Sequence, residues 1–226
     1  MAAPTILLGI NQQALSAVRL VLASQSPQRR EIFELMGLSG KFEVIVSGFA
    51  ENLDKAQYQG AGGPARYAQD NAAEKARAVA ERLLADGFDQ PFFVVGSDTI
   101  VDLDGAILEK PSGEDGAKDM LRRLSGRTHL VHSGVGMFSA AGGIEAPVMS
   151  FSETTRVLFG ALSEADIDAY VASGEPMDKA GGYGIQGLGG QLVERIEGCY
   201  FNVMGFPMRR FSAALTVLLG TPPERP

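Results

Sequence analysis

The stretch Phe92-Phe93-Val94-Val95-Gly96-Ser97-Asp98-Thr99-Ile100-Val101-Asp102-Leu103-Asp104-Gly105-Ala106-Ile107-Leu108-Glu109-Lys110-Pro111 decides how the rest of the chain is read. Its apolar opening has the composition of a buried strand, and it delivers one carboxylate, Asp98, where the run turns polar. Ile100–Leu103 resume an extended pattern, Asp104-Gly105 is a dipeptide that tolerates positive φ at a two-residue hairpin turn, and Ala106–Leu108 run back. Counting outward from the turn pairs Leu103 with Ala106, Val101 with Leu108 and Thr99 with Lys110, which leaves Asp98 and Lys110 as near neighbours. An acid beside a cation at this place suggests a phosphate site. Strict alternation sends Asp98 and Thr99 to opposite faces. For both to line one pocket, the ladder is expected to fray or bulge near Gly96.

Working outward, Leu20–Ala23 reads as a short buried strand that hands over to a helix with Ser26 as N-cap and Pro27 at its first position. Gly37 stops that helix, and Phe42–Val46 make a second strand. Residues 50–63 are polar and glycine-rich, with Glu51 and Asp54 in an expected mobile loop. Pro64 opens an alanine-rich helix to Ala85 whose apolar stripe is Tyr67, Ala68, Ala72, Ala76, Val79 and Leu83. After the hairpin come a helix over Gly113–Leu124 and a strand over Thr128–Phe138 interrupted by Gly134 and Gly136. A strand over Glu153–Phe159, a helix capped by Ser163 and running to Val171, a strand over Leu192–Ile196 and a helix over Pro207–Leu219 complete the series. This order is an α/β layout with a mixed, twisted sheet flanked by helices. No linker or repeat appears. Residues 1–17 read as an N-terminal extension, 18–219 as one domain with room for two lobes, and 220–226 as a disordered tail.

With 226 residues, 45% of them hydrophobic, the chain can bury a substantial core. No apolar run is long enough to span a bilayer, and the N-terminus lacks the basic segment of a signal peptide. The single cysteine, Cys199, cannot form an internal disulfide, which fits a reducing compartment. A net charge of −7 argues against a nucleic-acid partner, and it requires any phosphate pocket to gather cations locally.

Three groups of residues carry candidate chemistry. Ser24-Gln25-Ser26-Pro27-Gln28-Arg29-Arg30 stands where a strand meets a helix N-terminus, whose free amides and positive end favour an anion, and the arginines add bidentate donors. Gly181–Gly190 contains a literal G-x-G-x-x-G, but a strand follows it rather than a helix, so it is not a dinucleotide fingerprint. Its glycines allow close approach to a ligand, with Tyr183 and Gln186 able to stack on or bond a base. The remaining cations to trace are Lys75, Lys110 and Lys179. His129 and His132, three apart in strand-like sequence, point to opposite faces and do not suit a metal.

Taken together, A-S-x-S-P-x-R-R, G-S-D-T-I-V-x-L-D-G-x-I-L-E-K-P and D-K-A-G-G-Y-G-I-Q-G-L-G-G, in this order between Val18 and Leu219, resemble the Maf family of nucleoside triphosphate pyrophosphatases. The resemblance implies an elongated α/β fold related to the inosine triphosphatases, with two lobes around a cleft. It also implies hydrolysis of nucleotides to the monophosphate and pyrophosphate with Mg²⁺ or Mn²⁺, in a cytoplasmic protein that is often a homodimer. Position by position, Asp98 matches the family's proton acceptor, and Arg29, Lys75 and Lys110 match its phosphate-side cations. The family's substrate discriminators fall on Gln28, Thr99 and Gln186. Thr99 and Gln186 are the residues of members acting on dTTP and UTP, whereas Gln28 departs from both the arginine of that group and the aromatic residue of the 7-methyl-GTP group.

On this reading Asp98 orients and deprotonates the attacking water. Ser24, Ser26, Arg29, Arg30, Lys75, Lys110 and Lys179 bind the phosphates, and the arginines and lysines among them neutralise the triphosphate. Glu51 helps Asp98 at the divalent cation. Two alternatives stay open: the same chemistry on 7-methyl-GTP or another modified nucleotide, and a nucleotide-binding cell-division regulator that turns nothing over.

Overall fold

A computed structural model describes residues 10–141 and 143–220. Most of the expected extension and tail lie outside the described residues. The elements are α1 (Gln12–Ser16), β1 (Arg19–Leu22), α2 (Pro27–Phe33), β2 (Phe42–Val44), α3 (Gly63–Ala85), β3 (Phe92–Leu103) and β4 (Ala106–Leu108). They continue through α4 (Glu114–Leu124), β5 (Thr128–Ser139), β6 (Met149–Phe159), α5 (Glu164–Ala172), β7 (Val193–Glu197), α6 (Tyr200–Met204) and α7 (Met208–Leu219). The strands form one mixed sheet in the order β2-β1-β3-β5-β6-β7, with β4 also paired to β3. β1 runs parallel to β2 and β3, and β3 runs antiparallel to β4 and β5.

β3 alternates between two faces along its length, and its neighbours show what each face buries. Phe92 and Val94 pack with Ala76, Val79 and Leu83 of α3. On the opposite face Val95 joins Ile32, Phe33, Phe206 and Phe211, while farther along Val101 and Leu103 join Leu121, Val131, Phe159 and Tyr183. The polar residues Ser97 and Thr99 lie between these two cores, so one strand carries two lobes. Ile10 and Leu15, placed by sequence in an extension, are buried in the first of them.

The hairpin register agrees with expectation at Val101↔Leu108 and Leu103↔Ala106, but β4 stops at Leu108, so Thr99 and Lys110 are not paired. The expected irregularity near Gly96 is absent, because β3 and β5 pair without a shift from Phe93↔Ser139 to Asp102↔Leu130. The interruption expected at Gly134 and Gly136 is absent for the same reason. These glycines are seats for a helix rather than breaks in a strand. A Cβ at Gly96 would stand 2.1 Å from Ala72 O, one at Gly134 2.1 Å from Ala68 O, and one at Gly136 2.6 Å from Ala73 Cα. Only the smallest residues on both sides let α3 lie this close to the sheet.

Both short helices α1 and α6 escape sequence reading, each being five residues long with too little periodicity to register. β2 stops at Val44, two residues short of expectation. No helix among the described residues is long and apolar enough to cross a membrane.

Candidate active site

Two strands share the same edge of β3, and neither covers it fully. β1 pairs with Arg19 to Leu22 against Phe92 to Val95, Ala23 N–H adds a bond to Val95 O at 2.8 Å, and β4 takes over only at Val101. The segment Gly96–Ile100 therefore has no strand beside it on this edge, among the described residues. Side chains from both faces can reach around a bare edge, which is how Asp98 and Thr99 both line one cleft without a bulge. The cleft, about 940 Å³, lies between the two lobes.

On the α3 face, Lys75 Nζ stands 2.7 Å from Asp98 Oδ1 and 2.8 Å from Glu51 Oε2. Lys75 is 7% exposed and Asp98 8%, so water screens this contact little. The glycine seats explain the pairing, since Gly96 lies under Ala72 and Ala76, on either side of Lys75. Glu51 reaches the ammonium from the loop after β2 with φ 51, a left-handed conformation that costs a non-glycine residue about 1 kcal/mol. Strain of this kind persists where surrounding contacts hold it, and the Lys75 contact is one of them.

On the other face, Arg29 is fixed by three acceptors: Gly205 O from Nε at 3.0 Å, Ser24 Oγ at 3.1 Å and Thr99 Oγ1 at 3.1 Å. Thr99 also touches Ser133 Oγ at 2.8 Å and donates to Gly205 O at 3.2 Å. Burial pulls the Arg29 pKa down, while Asp98 and Glu51 pull it up. Its ordinary value is high enough that the guanidinium stays charged. Ser26 caps α2 by accepting from Arg29 N at 3.3 Å, and Ser24 Oγ accepts from Ser26 N at 3.2 Å, so both serines organise the strand-to-helix corner.

The remaining predicted residues divide. Gln28, Lys110, Lys179 and Gln186 line the cleft. Lys110 is exposed and makes no ion pair among the described residues, Lys179 pairs with Asp178 at 2.6 Å, and Gln186 donates to Glu31 at 2.6 Å. Arg30 is not brought to the cleft: it pairs with Glu34 at 3.1 Å one turn along its own helix. Tyr183 borders the cleft but is no stacking platform, because the residue is 5% exposed, its ring packs against His129 and Phe159, and its hydroxyl bonds His129 Nε2 at 2.8 Å. His132 faces Asp102 and Thr154 instead, as alternation requires.

Sequence reading missed Glu175. Its carboxylate accepts from Leu188 N at 2.8 Å, Gly189 N at 3.0 Å and Tyr170 Oη at 2.9 Å, and Tyr170 Oη in turn accepts from Gly184 N at 3.1 Å. Burial pushes this carboxyl up, but the two amides, the phenol and Lys179 outweigh it and hold it below the usual range. A Cβ at Gly187 would stand 2.3 Å from Glu175 Oε2, and one at Gly189 2.5 Å from Tyr170 Oη. The loop's glycines thus wrap a side chain of the protein itself. An acid just before a run of glycines was the available signal, since exposed amides need an acceptor.

The family profile described as "Maf-like protein" matches residues 19–218. The chain belongs to this family. Every cleft residue named above falls within the Maf-like match. The chain is 43% identical over 198 residues to the dTTP/UTP pyrophosphatase of Clostridium perfringens (strain SM101 / Type A), covering 88% of this chain and 96% of that one. It is 41% identical over 205 residues to the dTTP/UTP pyrophosphatase of Bacillus cereus (strain ATCC 10987 / NRS 248), covering 91% and 92%. A "probable bifunctional dTTP/UTP pyrophosphatase/methyltransferase protein" of Homo sapiens is 47% identical over 207 residues; the match covers 90% of this chain and 32% of that relative's length. Among solved structures, a HAM1 protein from Coxiella burnetii aligns with a TM-score of 0.48 and 16% identity, covering 88% of this chain and 99% of that one.

Proposed function

We propose that this Maf-like protein is a nucleoside triphosphate pyrophosphatase acting on dTTP and UTP. The observation that carries the reading is the buried Asp98, clamped by Lys75 beside Glu51 and facing a cleft that also holds Arg29, in a chain 43% identical to a dTTP/UTP pyrophosphatase across nearly all of both sequences. Lys75 engages Asp98 Oδ1, which leaves Oδ2 to take a proton from water. The water oxygen attacks the α-phosphorus, the bond from that phosphorus to the α,β-bridging oxygen breaks, and its electron pair leaves with pyrophosphate. Arg29, Lys110 and Lys179 offset the charge on the triphosphate and its leaving group. Arg30, turned toward Glu34, has no part in this.

Asp98 and Glu51 are hard oxygen donors already converging on one cation, the Lys75 ammonium. This pair fits Mg²⁺ or Mn²⁺, which take one or two carboxylates and complete their shell with phosphate oxygens and water. When bound, such an ion supplies charge neutralisation at the phosphates. A cytoplasmic homodimer belongs to the same proposal. The test is pyrophosphate release from dTTP, UTP, CTP and 7-methyl-GTP assayed side by side with Mg²⁺ or Mn²⁺. Release from dTTP and UTP is expected. A strong preference for 7-methyl-GTP overturns the substrate, and binding without release from any triphosphate makes the protein a nucleotide-sensing regulator.

A further inference from the structure

Gln186 is the one residue of the glycine loop with a side-chain amide, it lines the cleft, and that amide has a partner. Its Nε2 donates to Glu31 Oε2 at 2.6 Å, joining the loop to α2 across 155 residues of sequence. A carboxylate has no hydrogen to give, so only the NH₂ arm of Gln186 can face Glu31. The carbonyl Oε1 makes no hydrogen bond among the described residues and is the arm left for a ligand. Held in this way, Gln186 turns its carbonyl, the arm that can only accept, away from Glu31.

We infer that Glu31 is a specificity-determining positioning residue, which pins the Gln186 amide so that the cleft selects a base with an N–H donor at ring N3. Uracil and thymine carry that donor at N3, whereas cytosine carries an acceptor there and would oppose the Gln186 carbonyl lone pair for lone pair. Both side chains are exposed, and a base covering the Gln186 carbonyl, which lines the cleft, removes the water that would otherwise compensate a mismatch. The inference rests on the proposed dTTP/UTP reading, and the backbone clasp of Glu175 on Leu188 and Gly189 supports it by holding the loop in place.

The test compares kcat/KM for UTP and CTP in the wild type, in Glu31→Gln, and in the exchanged pair Glu31→Gln with Gln186→Glu. A glutamine at position 31 can offer either arm, so the Gln186 amide is released to flip. The preference for UTP over CTP is expected to fall about tenfold, with the loss on UTP appearing in KM. The exchanged pair again leaves an acceptor toward the base, because the new amide at 31 donates to the new carboxylate at 186, and it should recover the preference. A merely structural role for Glu31 would move both substrates together. An unchanged ratio in Glu31→Gln, or a wild type that does not distinguish UTP from CTP, overturns the inference while leaving the pyrophosphatase reading intact. A wild type that releases pyrophosphate from neither UTP nor dTTP overturns the reading on which it rests.

Discussion

Asp98 and Gly134 are register partners on adjacent strands, and the missing side chain of the second brings a cation to the first. Gly134 receives the backbone of α3 at Ala68, Gly96 receives it at Ala72 and Ala76, and Lys75 between them reaches Asp98 at 2.7 Å. Fold and site meet at these glycines. In Gly134→Ala the new methyl would lie 2.1 Å from Ala68 O, so α3 must lift. The cost should be about 3 kcal/mol, lowering Tm by about 6–12 °C. Pyrophosphate release per folded molecule should fall at least tenfold, since a displacement of this size is enough to spoil alignment. Thermal melting alongside the assay checks both, and a variant with unchanged Tm would refute the close-packing argument.

Lys75→Met removes the charge between two carboxylates while keeping most of the side-chain bulk. Asp98, 8% exposed, is then buried without its partner, which typically costs about 3–5 kcal/mol. Adding Asp98→Asn should restore part of that loss, and urea denaturation of the two single variants and the double measures the coupling. Strictly additive effects would mean the two groups do not interact.

Burial holds His129 neutral and pushes its pKa down to about 4. As pH falls through the ordinary value near 6.5, the unfolded chain takes up a proton that the folded protein refuses. Stability contributed by this residue is therefore complete above about pH 6.5 and drains away down to about pH 4, by roughly 3 kcal/mol. His132 is shifted in the same direction by burial, opposed by Asp102, and adds to the slope. Urea midpoints at pH 7, 5.5 and 4.5 should fall more steeply in the wild type than in His129→Phe. Parallel slopes would contradict this.

Much of the fold could be read from residue pattern. The β3–β4 turn, the extent of α3 and the Ser163 cap of α5 all follow from local chemistry, and the structure places them within a residue or two. Glycines in β3 and β5 misled, because their cause lies in a helix that precedes both strands in sequence. Asp98, Lys75 and Arg29 were legible as candidates, yet the bare edge that lets Asp98 and Thr99 share a cleft depends on where β1 stops and β4 starts. Arg30 was misplaced because adjacent helix residues point 100° apart, so only one of the two arginines can face the cleft. Glu31 meets a partner 155 residues away, which sequence distance hides, whereas the glycines that follow Glu175 were a signal for its role.

Glu175→Gln keeps the shape but replaces an acceptor of three hydrogen bonds by a neutral amide. Amide hydrogen exchange at Leu188 and Gly189 should speed up about tenfold or more, and KM for dTTP should rise. Exchange at α4 should not change. Uniform acceleration across the chain would instead indicate general destabilisation.

The most direct measurement is pyrophosphate release from dTTP by the wild type and by Asp98→Asn, with dTTP binding measured on the same samples. The substitution removes the proposed proton acceptor while Arg29, Lys110 and Lys179 remain. Release should drop by about 10²- to 10⁴-fold with dTTP still bound. An Asp98→Asn protein that releases pyrophosphate at the wild-type rate would contradict the account.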